Sequence, residues 1–288
     1  MTTLGPDSLA QLERVLGPLE RAPQPAGGAS PVPTWRVEAA GQRFAVKVFS
    51  AHSVGAHGQA ELLTHLHARG FPVARRELGE DFATHLHARG FPVPLGRALD
   101  SPDHTFLCLE WLAGETVAGA LHARPDEAYA LGARCGRLHA ELHRLSVPPA
   151  ALERVPVLEG FPEVSGGRRL LHLDFHPLNV LVGPGGLWLL EWENVRLGDP
   201  RADVARTLSV LSVDPAVCTL PRAARSALGR FRRGYLAGYA ALEPLVGLAP
   251  FLAAAGRFML ADLGGRCTPP ELHPVQRWTA WWAARGQG

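Results

Sequence analysis

Hydrophobic residues recur along the chain with two different periods, and the change between them predicts where helices and strands lie. Leucines three and four residues apart predict an amphipathic helix over residues 8–20. Alternating hydrophobic and polar residues then predict two strands, 34–39 and 43–50, which a short glycine-containing connection joins as a hairpin. Because successive side chains of a strand point to opposite faces, Lys47 lies on the face that also carries Phe49.

One stretch of the sequence is duplicated. THLHARGFPV occurs at 64–73 and again, letter for letter, at 84–93. Each copy contains a glycine followed two residues later by a proline, which is typical of a helix end, so the duplicated segment 60–99 is predicted to form two short helices in succession. Histidines two positions apart on a helix point in different directions, and this favours surface histidines over a metal site.

The rest of the chain is mainly helical. A buried strand is predicted over 105–115 and a helix over 126–145. In 170–195 two short apolar strands enclose a polar loop, and residues 200–288 are predicted to be helical.

Composition and charge narrow the class of protein. With 47% hydrophobic and 19% charged residues, the chain of 288 residues can bury a core large enough for one large or two modest domains. A net charge of +2 without a basic run speaks against nucleic-acid binding. Widely spaced cysteines predict reduced thiols, and neither a signal peptide nor a membrane span is predicted, so we expect a soluble cytoplasmic protein.

The polar loop carries the clearest chemical pattern. His172, Asp174 and Asn179 form H-x-D-x-x-x-x-N, and Glu191 follows after an apolar strand. An aspartate that accepts a hydroxyl proton, together with an asparagine and a carboxylate that hold Mg²⁺, suits phosphoryl transfer. Lys47, the only lysine beside 28 arginines, would supply a compact positive charge for nucleotide phosphates.

Two other interpretations of this loop stay open. Asp174 and Asn179 could cap backbone groups, as these residue types often do in loops. Alternatively, His172, Asp174 and His176 could bind zinc in a hydrolase, although the sequence offers no further ligand at a suitable spacing.

The segments around these residues resemble one family. The run LLHLDFHPLNVLV…LWLLEWENVRLGDPRADVAR resembles the aminoglycoside phosphotransferase and choline kinase superfamily of small-molecule kinases. FAVKVF is similar to that family's lysine strand, LCLEWLAGE to its hinge, and LGARCGRLHAELH to the helix beneath its active site. The likeness covers about residues 27–240.

The resemblance implies an α+β, two-lobed protein-kinase-like fold. A small N-terminal lobe with an antiparallel sheet, residues 1–112, would bind the nucleotide, and a larger, mainly helical C-terminal lobe, residues 113–288, would carry catalysis and bind the substrate. The implied activity is an ATP- and Mg²⁺-dependent transfer of phosphate to a hydroxyl of a small molecule. A P-loop kinase is excluded, because the sole lysine lies in a strand.

The resemblance also implies the roles of individual residues. Asp174 would be the catalytic base, and Asn179 and Glu191 would bind the metal. The implied nucleotide contacts are Lys47 at the phosphates with Glu61 as its ion-pair partner, Gly27 and Gly28 in the loop that covers the phosphates, and the backbone from Glu110 to Leu112 at adenine.

Two departures from the family pattern leave questions open. Position 191 is glutamate where the family has aspartate, so Glu193 could share metal binding, or the chain could be a catalytically silent, kinase-like protein that binds a nucleotide or ligand. The duplication leaves Glu61, Glu77 and Glu80 as rivals for pairing with Lys47; Glu61 is favoured because its helix is uninterrupted.

The charge of the C-terminal region bears on the acceptor. Residues 201–288 contain eleven arginines against five acidic residues, so a neutral or anionic small molecule is expected as substrate rather than a polycationic aminoglycoside. No nucleic-acid or membrane partner is expected, and the protein is predicted to be a monomer or a homodimer.

Overall fold

A computed structural model describes most of the chain. The described residues are 4–26, 33–50, 98–100, 104–146, 155–162, 167–183 and 186–286, with the single positions 56, 60, 62 and 152. They form two compact units. The first contains the described residues of Met1–Gly114, Pro149–Arg154 and Trp188–Glu193, and the second contains those of Glu115–Pro148, Val155–Leu187 and Asn194–Gly288.

The first unit is built on an antiparallel sheet of five strands in the order β1-β2-β3-β5-β4. Its elements are helix α1 (Pro6–Leu16) and strands β1 (Gln24–Pro25), β2 (Thr34–Ala39), β3 (Gln42–Ser50), β4 (Ala98–Asp100) and β5 (His104–Glu110). The predicted hairpin is confirmed, because β2 and β3 pair antiparallel around a turn in which Ala40 and Gly41 have φ angles of 49° and 75°. The predicted first helix is shorter than expected because Gly17, at φ 82°, ends it.

The alternation of β3 separates its hydrophobic face from its lysine. Phe44 and Val46 are buried against Leu12 and Leu16 of α1 in the core of this unit. Lys47 points to the opposite face and is nevertheless only 5% exposed. A buried ammonium requires partners that compensate its charge.

The second unit is mainly helical, as predicted. Its helices are α2 (Val117–Ala123), α3 (Ala128–Arg144), α4 (Pro200–Val213), α5 (Pro215–Cys218), α6 (Arg222–Ala240), α7 (Ala249–Leu263) and α8 (Pro269–Arg285). It also contains the short strands β6 (Glu115–Thr116), β7 (Arg169–Leu171), β8 (Val180–Gly183) and β10 (Arg196–Gly198), and β6 pairs with β8 and β7 with β10. Strand β9 (Gly186–Leu189) begins in this unit and ends in the first.

Helices α3 and α6 pack unusually close together through four glycines. A Cβ on any of them would lie 2.0–2.1 Å from a backbone oxygen of the facing helix, and they are Gly132, Gly136, Gly234 and Gly238. Real Cβ atoms do not approach backbone that closely, so only glycine fits these positions. The close approach brings the polar side chains on these two helices within hydrogen-bonding distance.

Two sequence-based expectations concern other parts of the chain. The duplicated stretch at 64–73 and 84–93 lies outside the described residues. Among the helices that the structure describes, none is long and apolar enough to cross a membrane.

Candidate active site

Asp174 and Asn179 lie on the loop between β7 and β8, and hydrogen bonds hold their side chains together. The amide nitrogen of Asn179 donates to the carbonyl oxygen of Asp174 at 3.0 Å and to its Oδ2 at 2.8 Å. Nε2 of His176 lies 3.3 Å from Oδ1 of the same carboxylate. Nδ1 of His172 accepts a hydrogen bond from the backbone N–H of Asp174 at 3.2 Å. The loop therefore fixes the position of the Asp174 carboxylate.

The surroundings of Asp174 favour its ionised form. Burial by itself raises the pKa of this carboxyl, but the hydrogen bond from His176 and the charges of His176, His172 and Arg206 lower it, and the net pKa lies below the ordinary value of 3.8. At neutral pH the carboxylate can thus accept a proton.

Backbone strain occurs at both segments that carry candidate residues. Leu173, directly before Asp174, has φ 61°, and Glu191 has φ 59°. Residues other than glycine rarely adopt this left-handed backbone conformation. Where they do, the surrounding structure enforces it, and such residues often lie at functional sites.

Asp203 of α4 enforces the conformation of the loop. Its Oδ2 accepts a hydrogen bond from the backbone N–H of His172 at 2.5 Å, and its Oδ1 accepts one from Leu173 at 2.8 Å. These two bonds hold the backbone directly before Asp174. They also account for the strained φ of Leu173.

Two histidines of α3 complete the surroundings of Asp203. Nε2 of His139 lies 3.0 Å and Nε2 of His143 lies 3.2 Å from Asp203 Oδ2. On the other side of each ring, Nδ1 lies 2.7 Å from a hydroxyl of α6, Tyr235 for His139 and Tyr239 for His143. With protons on both Nε2 atoms, His143 donates a hydrogen bond to Asp203 and each tyrosine hydroxyl donates to Nδ1, whereas Nε2 of His139 lies near the same carboxylate without forming a hydrogen bond.

His139, His143 and Asp203 are also close enough to one another to hold a metal ion, and no other such group of three occurs in the described part of the chain. Their contacts with tyrosine hydroxyls and backbone N–H groups make them a hydrogen-bond network instead. His139 also stacks on Phe175 of the loop, with ring centroids 4.2 Å apart and an interplanar angle of 2°.

Lys47 in the first unit pairs with two carboxylates. Its Nζ lies 2.8 Å from Oε2 of Glu191 and also contacts Oε1 of Glu193. Burial raises the pKa of Glu193, Lys47 lowers it, and the charge of Glu191 raises it, with a net direction upward. One ammonium is therefore shared between two carboxylates.

The strand before the predicted hinge continues the sheet. Glu110 pairs with Phe44 of β3, and the backbone N–H of Trp111 donates to the carbonyl of Arg43 at 3.0 Å. This donor of the segment from Glu110 to Leu112 is thus engaged within the first unit. Contact of the segment with adenine stays a prediction.

Other predicted residues lie outside the described part of the chain. They are Gly27 and Gly28 of the expected phosphate-covering loop, and the three rival partners of Lys47, Glu61, Glu77 and Glu80. Their expected roles stay predictions.

Sequence reasoning missed the hydrogen-bonded histidines and tyrosines behind the loop. His139 and His143 are four residues apart on one helix, and Tyr235 and Tyr239 have the same spacing on another. The signal that could have paired them is a glycine spacing of four in each helix, which indicates close helix packing.

The candidate residues fit a magnesium ion and a nucleotide by their chemistry. In the second unit, the amide nitrogen of Asn179 donates its hydrogen bonds to Asp174. The amide oxygen of Asn179 is therefore the atom that would bind a cation. In the first unit, Glu191 and Glu193 supply carboxylate oxygens, which are ligands that suit a hard divalent cation. Lys47 supplies the positive charge that suits a phosphate.

An antiparallel sheet with one buried lysine, and a helical unit with a strained Asp–Asn loop, define the protein-kinase-like class of phosphotransferase. The chain belongs to the phosphotransferase enzyme family, which matches residues 21–163 and 158–245. No curated protein matches this sequence.

Solved structures of similar fold span almost the whole chain. An amicoumacin kinase in complex with AMP-PNP and Ca²⁺ is 15% identical, with a TM-score of 0.60 over 91% of this chain and 88% of its own. A microcompartment-associated aminopropanol kinase is 16% identical, with a TM-score of 0.60 over 97% and 96%. The aminoglycoside phosphotransferase APH(4)-Ia, in a thermostable mutant form, is 14% identical, with a TM-score of 0.61 over 97% and 99%.

These comparisons confirm the predicted superfamily, the two-lobed α+β fold class and the phosphotransferase class of enzyme. At these identities the solved structures establish the fold alone.

Proposed function

We propose that the protein transfers the γ-phosphate of ATP, with Mg²⁺, to a hydroxyl of a neutral or anionic small molecule. The observation that carries this proposal is the ionised, hydrogen-bonded Asp174 beside Asn179 on a strained loop in a chain of the phosphotransferase family. The kinases of similar fold named above, one of them crystallised with a nucleotide analogue, support the choice of donor.

Each candidate residue has a defined task in this proposal. Asp174 accepts or orients the proton of the acceptor hydroxyl, because its carboxylate is ionised and held in place. Lys47 binds nucleotide phosphate as a compact point charge. Asn179 and Glu191 hold Mg²⁺, which, when bound, neutralises the charge of the phosphate oxygens.

Asp203 and its two histidines act behind the reacting groups. They hold the backbone of His172 and Leu173 through the carboxylate of Asp203, and so keep Asp174 in one position. Positioning of a base in this way reduces the reorganisation that the reaction would otherwise need.

Nucleotide binding and turnover in paired variants test the proposal. We expect ATP with Mg²⁺ to raise the melting temperature of the wild type and to lose this effect in Lys47→Met. Arg43→Met is the matched control, because Arg43 lies on the same strand with a side chain 65% exposed. Asp174→Asn should keep nucleotide binding and reduce ADP formation by about 10²- to 10⁴-fold, the usual contribution of a general base. Absence of nucleotide binding by the wild type would contradict the proposal.

A second candidate is a catalytically silent protein that binds a nucleotide or another ligand. It is favoured by Glu191, which stands where the family has aspartate and is paired with Lys47 in the structure. If the wild type binds ATP without forming ADP and Glu191→Asp restores turnover, this second function is correct. If the wild type forms ADP with an acceptor, it is excluded.

A further inference from the structure

Arg206 on helix α4 is a buried arginine that the proposed reaction leaves unexplained. It is 8% exposed. Its Nη2 lies 3.7 Å from Oδ2 of Asp262, and its guanidinium lies 5.3 Å from the ring centroid of Phe258 on helix α7. Its Nε and Nη1 are buried, and neither has a hydrogen-bond partner within the part of the chain that the structure describes.

Buried donors without an acceptor are uncommon in native proteins. A guanidinium carries five N–H donors in a planar fork, and burial without acceptors is costlier for a charged group than for a neutral one. A bound molecule that supplies hydrogen-bond acceptors would satisfy these donors. Nε and Nη1 lie on different edges of the guanidinium, and each forms a parallel donor pair with Nη2, so an oxyanion bound through two parallel hydrogen bonds takes Nη2 together with one of them.

The position of Arg206 in the second unit relates it to the catalytic loop. Burial lowers the pKa of Arg206, and among the carboxylates that oppose this effect Asp174 acts most strongly, ahead of Asp262. In return, Arg206 is one of the charges that lower the pKa of Asp174. Arg206 also follows Asp203 by one turn of α4, and the carboxylate of Asp203 holds the backbone directly before Asp174. A molecule whose hydroxyl contacts Asp174 would therefore have its neighbouring substituents near this part of α4.

We propose that Arg206 binds an oxyanion of the acceptor, a carboxylate or a phosphate, and so selects hydroxylated acids or phosphate monoesters as substrates. This inference rests on the proposed phosphotransferase function and narrows its acceptor to an anionic one. Phe258, which is 39% exposed and packs against Phe161 with ring centroids 6.1 Å apart, offers an apolar surface for the carbon skeleton. A rotamer change of Phe258 is the movement that we expect to admit the anion.

Matched acceptors test this selection directly. ADP formation is measured with glycerol, glycerate and glycerol 3-phosphate, and with glucose, gluconate and glucose 6-phosphate. We expect an anionic member of one set to have a kcat/KM at least about tenfold above that of its neutral counterpart. In Arg206→Gln, the kcat/KM for this anionic acceptor should fall by about a hundredfold. The carboxylates and the phosphates form separate arms, so the preferred oxyanion is read from the same data. Preferred use of the neutral members, or an equal loss for all acceptors in Arg206→Gln, would overturn the inference.

Three further variants separate recognition from folding. Arg206→Lys keeps a positive charge without the fork, so it should lose activity on the anionic acceptor and keep activity on the neutral one, even if Arg206→Gln does not fold. Asp262→Asn removes the carboxylate nearest to Arg206 and should lower KM for the anionic acceptor. Arg257→Gln, at an exposed arginine next to Phe258, should change neither the activity on the anionic acceptor nor its KM.

A binding experiment tests whether Arg206 binds an oxyanion, even if none of these acceptors is the substrate. In Lys47→Met, which lacks the proposed nucleotide-phosphate contact, inorganic phosphate or malonate should still raise the melting temperature. The additional Arg206→Gln change should abolish this rise. If neither anion stabilises Lys47→Met, the inference is wrong, whereas the proposed function fails if the wild type does not bind ATP or binds it without forming ADP.

Discussion

His139 should make the stability of the protein depend on pH. The ring is fully buried between Asp203, Tyr235 and Phe175. Burial lowers the pKa of His139, the carboxylate of Asp203 opposes this, and His143 adds to the lowering, so that the pKa falls from 6.5 to about 4. The folded protein therefore holds this imidazole neutral at pH values where the unfolded chain protonates it.

The sign and size of the effect follow from this difference. Because the unfolded state binds the extra proton, the free energy of unfolding is highest above pH 6.5, as far as His139 determines it. It decreases as the pH falls from 6.5 toward about 4. One proton contributes about 1.4 kcal/mol per pH unit, so the loss attributable to His139 is about 2 kcal/mol between pH 7 and pH 5. The whole interval from 6.5 to 4 corresponds to about 3 kcal/mol.

Urea unfolding at pH 7 and pH 5, followed by circular dichroism, measures this loss in the wild type and in His139→Gln. The variant should be less stable at pH 7, but its free energy of unfolding should decrease by about 2 kcal/mol less than that of the wild type on going to pH 5. His273→Gln, at an exposed histidine, should behave as the wild type does. An NMR titration of the imidazole nitrogens of His139 gives its pKa directly. Protonation of His139 in the folded protein near pH 6, or equal decreases in the wild type and His139→Gln, would refute the reasoning.

Two further predictions concern helix packing and the support of the loop, and urea unfolding measures both. In Gly136→Ala the new Cβ would lie 2.0 Å from the carbonyl oxygen of Tyr235, so we expect a loss of about 3 kcal/mol. Gly229→Ala on the facing helix, with nothing within 4 Å of its Cβ, should be neutral or stabilise by up to about 1 kcal/mol. Asp203→Asn replaces one of the two oxygens that each accept a backbone N–H by an N–H donor, and removes the charge beside the two histidines, so it should cost about 3 kcal/mol. Asp214→Asn, at an exposed helix cap, should cost about 1 kcal/mol or less. Equal losses in Gly136→Ala and Gly229→Ala would contradict the close helix packing. Equal losses in Asp203→Asn and Asp214→Asn would contradict the support of the loop by Asp203.

The parts of the fold that follow from local pattern were predictable from the sequence. The strands on either side of Gly41 alternate with a period of two, and the turn between them needs positive φ angles, which glycine adopts freely. The loop around Asp174 was recognisable because its functional side chains lie within a few residues of one another. In both cases the information is contained in a short stretch of chain.

The parts that depend on distant contacts were not predictable in this way. Lys47 pairs with Glu191 and Glu193, which lie 144 and 146 residues further along the chain, and no periodicity relates such positions. His139 and Tyr235 are 96 residues apart, and their contact depends on how closely two helices pack. We expect the identity of the acceptor to depend in the same way on side chains from distant parts of the chain, and Arg206 of α4, whose pKa is lowered by burial and raised by the charge of Asp174, is the example proposed above.

The carboxylates beside Lys47 bear on how a nucleotide would be bound. A phosphate that approaches Lys47 has to share its ammonium with Glu191 and Glu193, both of which contact Nζ in the structure. Their negative charges repel the phosphate in a partly buried environment, where electrostatic interactions are stronger than in water. The same two carboxylates attract a divalent cation. We therefore expect magnesium to be needed for ATP to bind, and not only for the phosphate to be transferred. In this expectation Glu191, which contacts the ammonium in the structure, also contacts the cation when magnesium is bound.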